Sequence, residues 1–176
     1  MIQAGRGKCV TGTWTECMFL NLGMSAIMVS ATVIIHLLGL LLLIRFLRGN
    51  AHHAARNSTA GFLRQGLLIV CVTLGVFAVH GVEIWLYALV YYWLGAVPNL
   101  QTAIYFSASS YSTLGFGDVV ASEPWRIFSS IEGVNGLLLL GWSSAFLLSV
   151  TSRLRMLEHD WEKYASRAKP RARKKK

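Results

Sequence analysis

Ser112-Thr113-Leu114-Gly115-Phe116-Gly117-Asp118 is the stretch on which the reading of this chain turns. It follows a short Ser-rich segment and lies between two long apolar ones. An ordinary extended strand alternates the direction of its carbonyls. A backbone that alternates between right- and left-handed conformations turns successive carbonyls to one side instead. Gly115 and Gly117, two residues apart, are the residue type that adopts positive φ without a steric cost. A row of oxygens built this way can replace the water around a small cation, with the Thr113 hydroxyl adding one more at the inner end. Leu114 and Phe116 are expected to point away from that row and pack behind it. Asp118 is expected at the outer mouth, where its charge raises the local cation concentration.

Working outward, the flanks are membrane segments. The chain has 176 residues, 54% hydrophobic and only 14% charged, about half the charged share of soluble domains. The charges are segregated. Residues 17–44 contain no Asp, Glu, Lys or Arg, and a bilayer core needs about 20 apolar residues in a helix. That stretch is too long for a signal-peptide core and is read as a retained span. A second apolar stretch, 65–94, is broken only by Glu83, and a third, 127–152, only by Glu132. Expected helix bounds are Met18 to Leu47, Phe62 to Leu94 and Pro124 to Ser152. Trp85, Tyr87, Tyr91, Tyr92 and Trp93 read as an aromatic belt at the outer interface. Between the second and third spans, Leu100 to Ser112 forms a helical candidate of about 20 Å, which fits a re-entrant half-helix.

Net charge is +9, and ten of the seventeen basic residues lie at or after Arg153. Arg45, Arg48, Arg56 and Arg64 lie between the first two spans. Basic residues beside spans mark the cytoplasmic side. Three spans put both clusters there, with the N-terminus outside and the C-terminus cytoplasmic in a multi-pass cell-membrane protein. The chain divides into an N-terminal part with the first span and basic loop (1–61), a middle part (62–152) and a basic tail (153–176). The tail suits anionic lipid; nucleic acid is not an expected partner. Cys71 reads as a packed side chain. Cys9 and Cys17 lie where a bridge is chemically allowed but not demanded. His52 and His53 in the loop read as solvated.

The heptapeptide, with a half-helix before it and a span on either side, resembles the pore loop of the potassium channel family. Leu114 stands for the usual Val and Phe116 for the usual Tyr. The resemblance covers outer helix, pore helix, filter and inner helix, roughly Phe62 to Ser152; the first span is additional. It implies an all-α membrane protein with three transmembrane helices plus a re-entrant pore helix and filter loop. It further implies a homotetramer closed by cyclic symmetry, with K+ held by Thr113, Leu114, Gly115 and Phe116 carbonyls. The implied function is K+ conduction, without catalytic residues and with no cofactor beyond the permeant ion. The pore helix would aim its C-terminal partial charge, near Ser112, at the cavity. Many relatives carry an acid where this chain has Ser109, which can still hydrogen-bond behind the filter. Phe116 lacks the hydroxyl of the usual Tyr.

Polar residues within the spans complete the candidate set, since each must face protein or water. His80 and Glu83, spaced i, i+3, share a helix face; they read either as a proton-sensitive latch or as a buried pair that fixes packing. His36 reads as packing. Glu132 is expected to support the filter and compensate for Ser109. Gly136 is nearest to the flexible glycine that the resemblance puts on the inner helix, with Gly133 and Gly141 beside it; close helix packing is the other reading. Asn135 and Ser143 or Ser144 are candidates to wet a cavity. Two other readings remain open: a weakly selective cation channel of the same architecture, and a haem protein using His36 and His80 as axial ligands.

Overall fold

The computed structural model describes residues 14–51 and 59–153, with side chains over 18–49 and 63–152. Cys9, His52, His53, Arg56 and the basic tail beyond Arg153 lie outside the described residues, as does the Cys17 side chain. The described chain is helical: α1 Trp14–Ala51, α2 Thr59–Trp93, α3 Leu100–Tyr111, a 3-10 turn Glu123–Trp125, and α4 Arg126–Arg153. Segments of 32, 31 and 30 residues in α1, α2 and the turn with α4 are long and apolar enough to cross a bilayer. Helix α1 extends beyond its expected span at both ends, α2 starts earlier and stops one residue short of Leu94, and the third expected helix divides into the 3-10 turn Glu123–Trp125 and α4.

Helix α3 is short because its ends are fixed locally. Asn99 caps its start, the Asn99 side chain accepting from the Thr102 N–H at 2.8 Å, which satisfies one of the orphan donors of a first turn. Its end is set by Thr113, which turns to φ 61 one residue past the cap at Ser112. Twelve residues cannot cross a bilayer. The half-helix is instead wedged between α2 and α4, with Ala103, Phe106, Ser107, Ser109 and Tyr111 buried.

An aromatic core holds this wedge. Tyr91 packs edge-on against Phe106 and Phe128, with centroids 5.1 and 5.4 Å away, and Tyr87 meets Phe128 at 5.7 Å. The expected belt at the end of α2 therefore splits by helix face. Tyr87 and Tyr91, four apart, are core residues, whereas Trp85, Tyr92 and Trp93 are exposed.

Helix α1 is a full structural partner of the other helices and packs on both α2 and α4. Its inward face carries Asn21, Ser25, Met28, Thr32, His36 and Leu40, all buried, at steps of three or four. That spacing draws one line along a helix. Its remaining faces expose Phe19, Ile27, Ile34 and Leu42, as a helix bordering lipid does. The polar seam finds partners across the interface. Asn135 Nδ2 on α4 donates to Thr32 Oγ1 at 2.8 Å and to Tyr87 Oη at 3.3 Å. Asn135 thus joins three helices and does not wet a cavity.

Candidate functional site

The backbone after α3 alternates in hand. Positive φ occurs at Thr113 (61°), Gly115 (55°) and Gly117 (78°), and at no other residue from Ser112 to Asp118. The sequence reading anticipated the two glycines but not Thr113, where an L-residue accepts a conformation that normally costs about 1–2 kcal/mol.

The amide hydrogens show the consequence of this alternation. Thr113 N–H donates to the Ser110 carbonyl at 3.0 Å, while Leu114 and Gly115 donate to the Ser109 carbonyl at 3.0 and 3.2 Å. Phe116 N–H reaches Ser109 Oγ at 3.4 Å. Four consecutive N–H groups thus face the end of α3, and across planar trans peptides the carbonyls of Ser112, Thr113, Leu114 and Gly115 point the opposite way. No donor among the described residues engages the carbonyls of Thr113, Leu114, Gly115 or Phe116. Unpaired carbonyls in a row are expensive inside a membrane protein unless water or an ion meets them.

Ser109 is the anchor of this arrangement, accepting three of the four bonds through one side chain and one carbonyl. Ser112 Oγ donates to the Ala108 carbonyl at 2.6 Å and closes the helix end. Asp118 Oδ2 accepts from Tyr105 Oη at 2.8 Å, and the Tyr105 ring stacks on Phe116 at 6.4 Å and 9°. Tyr105 therefore supplies from the pore helix a phenol that the loop itself lacks at Phe116. The Asp118 carboxylate, chiefly by accepting this bond, holds the Tyr105 phenol above its ordinary range, with desolvation and the carboxylate charge adding to it. Leu114 and Phe116 do not pack behind the loop within their own chain; they are 63% and 65% exposed.

Two buried carboxylates clamp α3 from opposite sides. Glu132 on α4 accepts from Tyr91 Oη on α2 and from Ser107 Oγ on α3, each at 2.5 Å. Its bonds go to the body of the half-helix that carries the loop and not to Ser109 or the loop itself. Glu83 on α2 accepts from Tyr111 Oη, the last residue of α3. It also meets His80 Nδ1 at 3.0 Å and His36 Nδ1 at 3.1 Å. Ser143 on α4 stands on the far side of both imidazoles, 2.9 Å from His80 Nε2 and 3.3 Å from His36 Nε2. His80 and Glu83 are thus bonded as one of their two readings held, but within a larger cluster, and His36 is a bonded member of it. Ser143 belongs to this cluster and faces no cavity, while exposed Ser144 bonds back to the Leu140 carbonyl. The imidazole centroids are 5.2 Å apart, and Glu83, Tyr111 and Ser143 fill the space a porphyrin would need, so axial haem ligation by this pair does not fit.

Gly136 is where α4 crosses the end of α3. A Cβ there would overlap the Tyr111 carbonyl, while one at Gly133 would lie 3.3 Å from the Ser110 carbonyl. Gly141 has open space around it. Close approach accounts for Gly136, and it is the end of α3 that approaches. An open groove of about 460 Å³ runs between the loop, α3 and the first half of α4, lined by Thr113, Gly115, Gly117, Ser130, Val134 and Leu137 among others.

Sequence reasoning missed Tyr91, Tyr105, Ser107 and Tyr111 as supports. For Tyr91, Ser107 and Tyr111 the polar tip was the available signal, since a buried tyrosine or serine near a span's carboxylate needs a partner. No curated protein and no solved structure matches the chain. Residues 79–153, from the second half of α2 through the loop to the end of α4, match the family model described as ion channel.

Proposed function

We propose that this ion channel conducts K+ selectively, through four copies of the 113–116 backbone arranged around a common axis. The observation that carries the reading is the alternation of φ sign with all four amides directed at α3. It leaves a ladder of carbonyls free to replace the hydration shell of a cation. The exposed residues of the single chain support assembly. Leu114, Phe116, Val120, Val134, Leu137 and Leu138 are each more than half exposed around the loop and groove, and contiguous apolar surface of this kind is a contact surface. Neighbouring copies would cover Leu114 and Phe116, which lack cover within their own chain.

Charge bias orients the subunit with Asp118 and Tyr105 at the outer mouth and the basic loop and tail inside, the tail meeting anionic lipid. The test is a reversal potential in planar bilayers containing only the purified chain. Replacing K+ by Na+ on one side should move it by tens of millivolts towards the K+ equilibrium value. A reversal potential indifferent to that exchange overturns selectivity and leaves a general cation channel. Absence of any conductance overturns the proposal outright.

A further inference from the structure

The geometry points to a zinc-class transition-metal site in the membrane interior, made by His36, His80, Glu83 and Tyr111, with Ser143 holding the two imidazoles from behind. One ligand atom from each of His36, His80 and Glu83 lies within 4.8 Å of the others. His36, Glu83 and Tyr111 are almost wholly buried, His80 and Ser143 nearly so. Tyr111 Oη adds a fourth donor atom, 2.9 Å from His80 Nδ1 and bonded to Glu83. His80 and Glu83, three apart on α2, project from one face, and His36 meets them from α1.

Counting hydrogens shows that the neutral-imidazole cluster around an ionised Glu83 lacks one positive charge. The five side chains make six polar contacts: His36 Nδ1 to Glu83, His80 Nδ1 to Glu83 and to Tyr111, Tyr111 to Glu83, and each Nε2 to Ser143. An ionised Glu83 has no hydrogen, so both imidazoles must carry theirs on Nδ1. Both Nε2 atoms are then acceptors facing one Ser143 hydroxyl hydrogen. One contact is left with lone pairs opposed, and either a proton on one imidazole or a bound cation relieves it.

A metal ion resolves the count. With both histidines in the other tautomer, each Nε2–H donates to Ser143 Oγ, which has two lone pairs for them. Both Nδ1 lone pairs then converge with a Glu83 oxygen and Tyr111 Oη as an N2O2 set. This is the second-shell arrangement that orients metal-bound histidines, in which the ring nitrogen away from the metal donates to a fixed acceptor. Zinc bonds to nitrogen and oxygen of about 2.0–2.2 Å in a tetrahedron put ligand atoms about 3.3–3.5 Å apart. His80 Nδ1 lies 2.9 Å from Tyr111 Oη and 3.0 Å from one Glu83 oxygen, and His36 Nδ1 lies 3.1 Å from the other, with Tyr111 Oη in close contact with Glu83, so the donors must spread to admit the ion, Tyr111 and Glu83 most of all. A dication against the Glu83 carboxylate and a Tyr111 phenolate leaves no net charge to bury. The metal would fasten α1 to the residue that ends the pore helix, two positions before Thr113.

The test uses the full chain in detergent, stripped with chelator and titrated with Zn2+ alone, then with Co2+ as a spectroscopic probe. One metal per chain is expected, with the visible absorption bands of four-coordinate Co2+. His36→Gln and Glu83→Gln should each lose that binding, and Ser143→Ala should weaken it about 10–100-fold. A variant with His52, His53 and His159 all changed to Ala should bind as the parent does. Size-exclusion profiles identify any variant that fails to fold; Ser143→Ala, which removes a single oxygen, then decides the matter. A parent chain that binds no Zn2+, or a Ser143→Ala chain that binds it with unchanged affinity, overturns the proposal. So does a parent that binds no metal while its conduction shifts with pH only when His36 is present, which would assign the sixth contact to a proton. Bound metal and Co2+ absorbance are read without any conductance, so this result stands apart from the result on K+ selectivity.

Discussion

Gly136→Ala separates packing from flexibility on the inner helix. If Gly136 served only as a hinge, Ala would stiffen α4 and leave the resting structure intact. The structure predicts otherwise, because the new methyl meets the backbone carbonyl of Tyr111, at the end of the pore helix. A flexible side chain could swing aside; this carbonyl cannot move without moving the loop that follows it. Overpacking costs about 1–3 kcal/mol, and a backbone obstacle argues for the upper end. Ala also gains about 1 kcal/mol of helix propensity over Gly, so the net loss is about 2 kcal/mol per chain. Gly141→Ala is the matched control, since open space surrounds that position and only the gain of about 1 kcal/mol applies. The two variants should thus differ by about 3 kcal/mol, or about 6–12 °C in Tm for a chain of this size. Thermal unfolding in detergent reads the difference, and reversal potentials read the displaced loop as reduced K+ preference in Gly136→Ala alone. Equal Tm values for the two variants would refute the close approach and return Gly136 to a hinge.

Three further outcomes follow from the site. Gly115→Ala introduces no clash, since nothing lies within 4 Å of the added carbon, but keeps φ at 55°; at about 1–2 kcal/mol per chain, four chains lose about 4–8 kcal/mol from the conducting conformation, and K+ flux from liposomes should stop while helix content is unchanged. A double-mutant cycle of Tyr91→Phe and Glu132→Gln should show a coupling of about 0.5–1.5 kcal/mol in thermal or denaturant unfolding, the range of a typical buried hydrogen bond; additive effects would deny that bond. Asp118→Asn removes the acceptor and charge that hold the Tyr105 phenol up, so Tyr105 should ionise at lower pH in the variant, read as an earlier rise of phenolate absorbance against the parent; an unshifted titration would mean that Tyr105 and Asp118 are not bonded.

What the sequence made legible was whatever depends on neighbours in the chain. Stretches nearly free of charge marked the spans, and the paired glycines the alternation of the loop. What it concealed depends on residues far apart. Glu83 gathers partners 47, 3 and 28 positions away, on three helices, and no local pattern announces such a convergence. Glu132 was recognised as costly in lipid, but its partners Tyr91 and Ser107 are 41 and 25 residues distant, so they could not be named. The seam of α1 was readable in principle, because Asn21, Ser25, Thr32 and His36 fall on one face. It was obscured by apolar residues on every other face, which suit lipid as well as protein. The positive φ of Thr113 had no signal at all, since a β-branched residue is among the least expected in that conformation.

The central claim concerns oxygens, and heavy-atom analogues of K+ report on them most directly. Crystals or single particles of the assembled protein prepared in Tl+ or Rb+ should show a column of ion density on a four-fold axis. The account predicts that the carbonyls of Thr113, Leu114, Gly115 and Phe116 from four chains surround that column. Ion density absent from this loop, or a loop lying away from any symmetry axis, would contradict it.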